Sequence, residues 1–192
     1  MLIVVTGLDG SGTSSVAERL SIKDEGSYLF KTPSLEFSDR DKIDTIIRKE
    51  SSVAHMLYYL SSTVYMSDYI KNNCDYINNN VYVVRYLIDT VVSNRVAGIP
   101  IDLDYNIYGN KLIIPDLTLF VGLDEQVRQY RISNRGKSVL DKVLDDDSTR
   151  GKFLREFDRL LIPESTIYVD NNASIDNVVE DTYQKIKTFG KR

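Results

Sequence analysis

The chain alternates short apolar runs with longer stretches in which apolar residues recur every three or four positions. Met1–Val5 is a continuous apolar run ending at Thr6-Gly7, and its lack of alternation predicts a strand buried on both faces. Ser27–Lys31 and Val81–Arg85 read as further strands. Leu117–Val121 follows the breaker Pro115-Asp116, and Thr166–Val169 stops at Asp170-Asn171-Asn172. Between them, helical spacing predicts helices over Ser14–Leu20, Lys42–Lys49, Val53 to about Asn72, Glu125–Ser133, Thr149–Leu161 and Ile175–Lys187. Strands alternating with helices imply an α/β domain of three layers, a parallel sheet of about five strands covered by helices.

Composition narrows the class by exclusion. At 192 residues, without repeats, low-complexity blocks or linkers, the chain reads as one domain over 1–192. Apolar residues make up 42% and charged residues 27%, as in globular proteins. The net charge of −4 gives no general attraction for nucleic acid or an anionic membrane, so phosphate recognition must be local. One cysteine, Cys74, leaves no internal disulfide, and one histidine, His55, leaves no His/Cys metal cluster; both read as structural. The run Asp145-Asp146-Asp147 reads as a solvated loop or helix start. No apolar run reaches the roughly 18–20 residues that span a bilayer. The opening run is too short for a signal-peptide core and lacks a basic leader, so a cytoplasmic location without a membrane partner is expected.

The chemistry concentrates in Gly7-Leu8-Asp9-Gly10-Ser11-Gly12-Thr13-Ser14-Ser15, between the first strand and the first helix. A phosphate loop, G-x-x-x-x-G-K-[ST], needs glycines because its backbone N–H groups must approach phosphate oxygens with no Cβ in the way. The helix that follows presents its N-terminal amides to the same anion. Gly7, Gly12 and the Ser14 hydroxyl, a ligand for the Mg²⁺ carried with ATP, match this pattern. Thr13 stands where the lysine belongs and supplies no charge. Binding can rest on amides, whereas phosphoryl transfer then needs another cation.

With these residues the chain resembles the thymidylate kinases, whose phosphate loop carries an Asp at the position of Asp9. Later landmarks fall in the same order. Ile47-Arg48 resembles the helix arginine that touches the acceptor phosphate. Arg85-Tyr86 lies where the family has Asp-Arg-Tyr, and Pro115 to Phe120 is similar to the proline-aspartate strand before the lid helix. Arg131 and Arg135-Gly136 look like lid arginines that close over the donor phosphates, in a lid of approximately 131–150. The resemblance implies a phosphate-loop kinase fold. The ATP phosphates would lie on Gly7, Gly10, Ser11, Gly12, Thr13, Ser14 and Ser15, and the acceptor against Asp9, Pro33, Arg48, Tyr58, Tyr59, Arg85 and Asn94. Asp9, Arg85, Arg131 and Arg135 would carry catalysis, and the family is typically a homodimer. The chain departs from the pattern at several places. Val84 replaces the aspartate of Asp-Arg-Tyr, and Lys31-Thr32-Pro33 replaces a stretch ending Arg-Glu-Pro. Ser62 or Thr63 falls where a base-reading arginine is expected, and Ser93-Asn94 falls on a Tyr-Gln pair.

The expected function is therefore transfer of the ATP γ-phosphate to a deoxynucleoside monophosphate, dTMP above all. Two alternatives stand beside it. A silent nucleotide-binding protein is consistent with the two missing catalytic groups. A deoxynucleoside kinase would need a carboxylate base after the second strand, where no acid occurs before Glu36.

Overall fold

In the computed structural model, which describes residues 1–107, 109–136 and 142–190 without the side chains of Asp41 and Arg135, the first strand is fully buried. This strand, β1 (Leu2–Thr6), is followed by the glycine loop and α1 (Thr13–Lys23), then by β2 (Tyr28–Lys31). A 3₁₀ turn (Leu35–Phe37) leads into short helical pieces, Arg40–Lys42, the π-helical turn Ile43–Ile47 and Arg48–Glu50. The long α2 (Ser52–Asn73) starts on the hydroxyl of Ser51, which accepts from the Ala54 N–H at 3.1 Å. Then come β3 (Val81–Val84), α3 (Leu87–Val96), a small hairpin (Asn106–Ile107 with Asn110–Lys111) and β4 (Leu117–Gly122). α4 (Glu125–Arg135), α5 (Asp147–Leu160), β5 (Thr166–Asp170) and α6 (Ile175–Phe189) complete the chain. The strands form one parallel sheet in the order β2-β3-β1-β4-β5.

Strand alternation divides the core in two. Leu2, Val4, Val81 and Val83 face one side, against Met66 and Ile70 of α2, Val91 of α3, and Phe153 and Phe157 of α5. Ile3, Val5, Tyr82 and Val84 face the other, against Val16 and Leu20 of α1 and Val178 and Ile186 of α6. Covering both faces satisfies the continuous apolar runs and produces the three layers expected of them.

All five expected strands and all six expected helical stretches are present, with ends moved by a few residues. The Lys42–Lys49 stretch is interrupted by the π-helical turn. Two elements were not legible in the pattern. α3 buries Leu87, Ile88, Thr90, Val91, Val92 and Asn94 on most sides, so it carries no amphipathic signature. The hairpin strands are two residues each, too short to show alternation. The acidic run starts a helix: the Asp146 carboxylate caps α5 by accepting from the Thr149 N–H at 2.7 Å. Among the described residues no helix is long and apolar enough to cross a membrane. The lid range opens within α4 and ends within α5, with Leu144 buried between them; residues 137–141 of it lie outside the described residues.

Candidate active site

The C-terminal ends of the five strands gather the chemistry, as open parallel sheets do. Gly7 leaves β1, Thr32-Pro33 leaves β2, Arg85 leaves β3, Gly122 ends β4 and Asn171 leaves β5. The glycine loop enters α1 through Gly12, whose φ of 93° is the left-handed conformation that glycine adopts without strain. α1 has neither a side-chain cap nor an acidic residue in its first turn, so its N-terminal amides suit an anion. Ser11 and Thr13 are buried, whereas Ser14 and Ser15 are exposed on the first turn. A Cβ on Gly12 would sit 2.4 Å from Asn171 Nδ2. Glycine at 12 is thus required by a packed neighbour as well as by its left-handed backbone.

Arg85 is the hub on the other side of the loop. It is the one non-glycine residue with positive φ among the described residues, at 67°. Its Nη1 donates to the Gly7 carbonyl at 2.9 Å and to Asp89 Oδ1 at 2.7 Å, and its Nη2 pairs with Asp9. Burial opposes this charge, but the carboxylates of Asp89 and Asp9 outweigh it and raise the pKa above the ordinary arginine value. Asp89 also accepts from the Thr6 hydroxyl at 2.7 Å and caps the Tyr86 N–H at 3.0 Å. Val84, where the family carries aspartate, is buried in the core at 3% exposure. A carboxylate is therefore held against Arg85 from the first turn of α3. Asp89 was missed in the sequence, although its i,i+4 spacing from Arg85 is a readable signal.

Beyond the hub, the Thr32 hydroxyl donates to the Arg85 carbonyl at 2.8 Å and holds Thr32-Pro33 beside it. Tyr58 donates to the Phe37 carbonyl at 2.7 Å and packs edge-on against the Phe37 ring. Tyr59 donates to Asp44 at 2.7 Å, and the Arg40 guanidinium lies 5.9 Å from its ring centre. Burial and the bond to Asp44 push the Tyr59 phenol up to about 12. Desolvation works against the Arg40 charge, but Tyr59, Asp44 and Asp9 more than offset it and raise its pKa, so Arg40 stands within electrostatic reach of the loop. Arg40 was not singled out in the sequence; Arg48 lies half-buried in the last helical piece. His55 is likewise part of this cluster, 3.0 Å from Asp44. Two expected positions turn inward. Asn94 is buried and its amide donates to the Thr90 carbonyl of its own helix at 2.8 Å, so it is not brought to the cleft. Ser62 and Thr63 are buried with their hydroxyls on the Tyr59 carbonyl.

On the lid side, Arg131 Nη2 donates to the Asn171 carbonyl at 2.9 Å, and Nη1 lies 3.4 Å from the position of a Gly12 Cβ. The Arg135 side chain lies outside the described residues. Arg128, not anticipated from the sequence, is buried at 1% exposure and forks onto Glu125 at 2.7 and 2.8 Å. Arg150 Nε stands 3.3 Å from the same carboxylate. Burial alone would raise the Glu125 pKa, but the bonds from Arg128 and Gln129 and the charges of Arg128 and Arg150 hold it below 4.5. A depressed folded pKa contributes stability that is complete above the unfolded value and lost as pH falls through the folded one. Glu125→Gln should therefore lower Tm at pH 7 and cost progressively less as pH falls below about 4.5. Thermal unfolding from pH 3 to pH 7 checks this, and an equal loss of Tm across the range would refute it.

The residues present suit a metal that arrives with the nucleotide. The exposed Ser14 hydroxyl can offer one ligand, Asp9 and Asp89 are engaged by Arg85, and phosphates and water would complete a Mg²⁺ shell. Among the described residues no group of three His, Cys, Asp or Glu side chains could hold a metal alone.

A glycine loop between the first strand and an uncapped helix, in a parallel sheet of this order, defines the class of phosphate-loop α/β proteins. Within that class, residues 5–182 match the thymidylate kinase family, and the chain belongs to it. Thymidylate kinases from two strains of Staphylococcus epidermidis are 33% identical over 83 residues, a stretch covering 41% of this chain and 40% of each relative. Among solved structures, Candida albicans thymidylate kinase superposes with a TM-score of 0.72 at 23% identity, over 97% of this chain and 91% of that one. Deoxyadenosine kinase from M. mycoides superposes with a TM-score of 0.70 at 18% identity, over 98% and 100%. These structural likenesses are likenesses of fold.

Proposed function

We propose that this protein is an ATP-dependent nucleoside monophosphate kinase that transfers the γ-phosphate of ATP to a deoxynucleoside monophosphate, dTMP in the first place. The observation that carries this reading is the Arg85 hub, which joins the backbone of the phosphate loop to Asp9 and Asp89. A monophosphate acceptor is already anionic, so the reaction asks for alignment and charge stabilisation rather than a strong base. Both carboxylates at the hub are committed to an arginine, which suits positioning. ATP·Mg²⁺ would lie on Gly7–Ser15 with Ser14 toward the metal. The acceptor would lie between Pro33, Tyr59 and Arg85, with Arg40 or Arg48 toward its phosphate. A Mg²⁺ ion held by the Ser14 hydroxyl and the nucleotide's phosphates would supply positive charge to the reaction when bound.

A coupled assay with ATP and, separately, dTMP, dUMP, dCMP, dGMP and deoxyadenosine tests the proposal. Turnover is expected with dTMP. Turnover with deoxyadenosine alone would make the protein a nucleoside kinase, and ADP binding without any turnover would make it a silent binder. For the acceptor pocket, Tyr59→Ala should raise the KM for the monophosphate roughly tenfold, the loss of one base-stacking ring of about 1–3 kcal/mol. Tyr58→Ala, on the Phe37 side, should move it less. Equal small effects in steady-state kinetics would refute the stacking role.

A further inference from the structure

The outward carbonyls of the phosphate loop are held in a regular way. Arg85 Nη1 donates to the Gly7 carbonyl at 2.9 Å, Arg128 Nη1 to the Asp9 carbonyl at 2.9 Å, and Asn171 Nδ2 to the Ser11 carbonyl at 2.7 Å. These are alternate residues, 7, 9 and 11, and the three donors come from the end of β3, from α4 and from the end of β5. The Leu8 carbonyl is taken by the Ser11 N–H, and that of Gly12 by the Val16 N–H, both at 3.0 Å. In a trans peptide the carbonyl of one residue and the N–H of the next point in opposite directions. Holding the carbonyls of Gly7, Asp9 and Ser11 outward therefore turns the N–H groups of Leu8, Gly10 and Gly12 the other way. N–H groups turned away from these tethers are the kind of donor an anion needs.

Two further observations belong to this arrangement. Among the described residues, Ser11 Oγ in the loop and Oδ1 of its tether Asn171 are both buried without a hydrogen-bond partner. Arg128, moreover, already satisfies Glu125 with its fork of Nε and Nη2, yet its remaining terminal nitrogen is turned onto a loop carbonyl.

We infer that Arg128 and Asn171 are positioning residues that preset the phosphate loop for the donor nucleotide, in a chain whose loop has Thr13 in place of a lysine. The inference rests on the kinase reading for the identity of that nucleotide. Preorganisation of this kind appears as affinity for the phosphate-bearing donor, because the free loop no longer loses order on binding. Nucleotide bound elsewhere should not sense it.

Isothermal titration calorimetry with ADP and, separately, with dTMP tests this on the wild type, Asn171→Leu and Arg128→Lys, with thermal unfolding alongside. Leucine is close to asparagine in volume and removes the donor without adding charge. Lysine keeps the charge and loses the fork. Each folded variant should bind ADP roughly tenfold more weakly, the scale of one lost, well-placed hydrogen bond, with dTMP affinity kept within about twofold. Equal weakening of both ligands would mean a merely structural role, and unchanged ADP affinity would mean that the loop keeps its shape unaided; either overturns the inference. A wild type that binds no ADP overturns the kinase reading and this inference with it. Should Arg128→Lys fail to fold, Asn171→Leu, which breaks no ion pair, decides alone.

Discussion

Arg131→Ala should lower kcat by about two orders of magnitude while the KM for ATP changes by less than about threefold. Charge spreads over the γ-phosphate oxygens during transfer, and the loop provides only amides and hydroxyls to meet it, since Thr13 carries no charge. Arg131 is a lid-side cation brought to the loop: Nη2 is moored on the Asn171 carbonyl and Nη1 stands against Gly12. A guanidinium there acts mainly on the transition state, which is why the loss belongs in kcat. Arginines acting as the principal cation contribute ~10³–10⁵ in rate, so two orders is a conservative expectation. Steady-state kinetics of Arg131→Ala, Arg135→Ala and the double variant provide the test. Wild-type kcat in all three would move the catalytic charge to Arg85 and its neighbours.

Arg85→Met should abolish turnover and also destabilise the fold by roughly 3 kcal/mol. Two carboxylates depend on this one guanidinium, and both lie in a largely desolvated pocket: the Asp9 and Asp89 side chains are 25% and 10% exposed. Removing the arginine leaves both without it, with, among the described residues, the Thr6 hydroxyl and the Tyr86 amide as the remaining donors to Asp89. Arg85→Lys should recover part of the stability and little of the activity. An ammonium has no planar fork to reach the Gly7 carbonyl, Asp89 and Asp9 together. The positive φ at Arg85 costs of order 1–2 kcal/mol and is sustained by these bonds, so losing them also releases the backbone turn that presents the residue. Urea unfolding and the coupled assay separate the two effects. Full stability with lost activity would mean that the carboxylates find other partners, and unchanged activity would remove Arg85 from the site.

How much of this was legible beforehand depends on the range of the interaction concerned. The five strands, the amphipathic helices and the glycine loop are written in local periodicity and spacing, because burial on both faces of a parallel sheet demands continuous apolar runs. The same order of motifs was enough to point to the thymidylate kinases, and the family match over residues 5–182 agrees. α3 escaped because a helix buried on most sides has no polar face to mark it. Within the site, the charge-poor loop and the charged Arg85 at a strand end could be read from residue types alone. Their partners could not: Arg85 reaches Asp9 across 76 positions, Arg128 the same residue's carbonyl across 119, and Asn171 the Ser11 carbonyl across 160. Such contacts leave no local pattern, since they exist only once parallel strands far apart in the chain bring their C-terminal ends to one edge. Residue types and their spacing determined the fold and the location of the phosphate loop; tertiary packing alone decided which side chains hold that loop in shape and which, like Asn94, turn into the core instead.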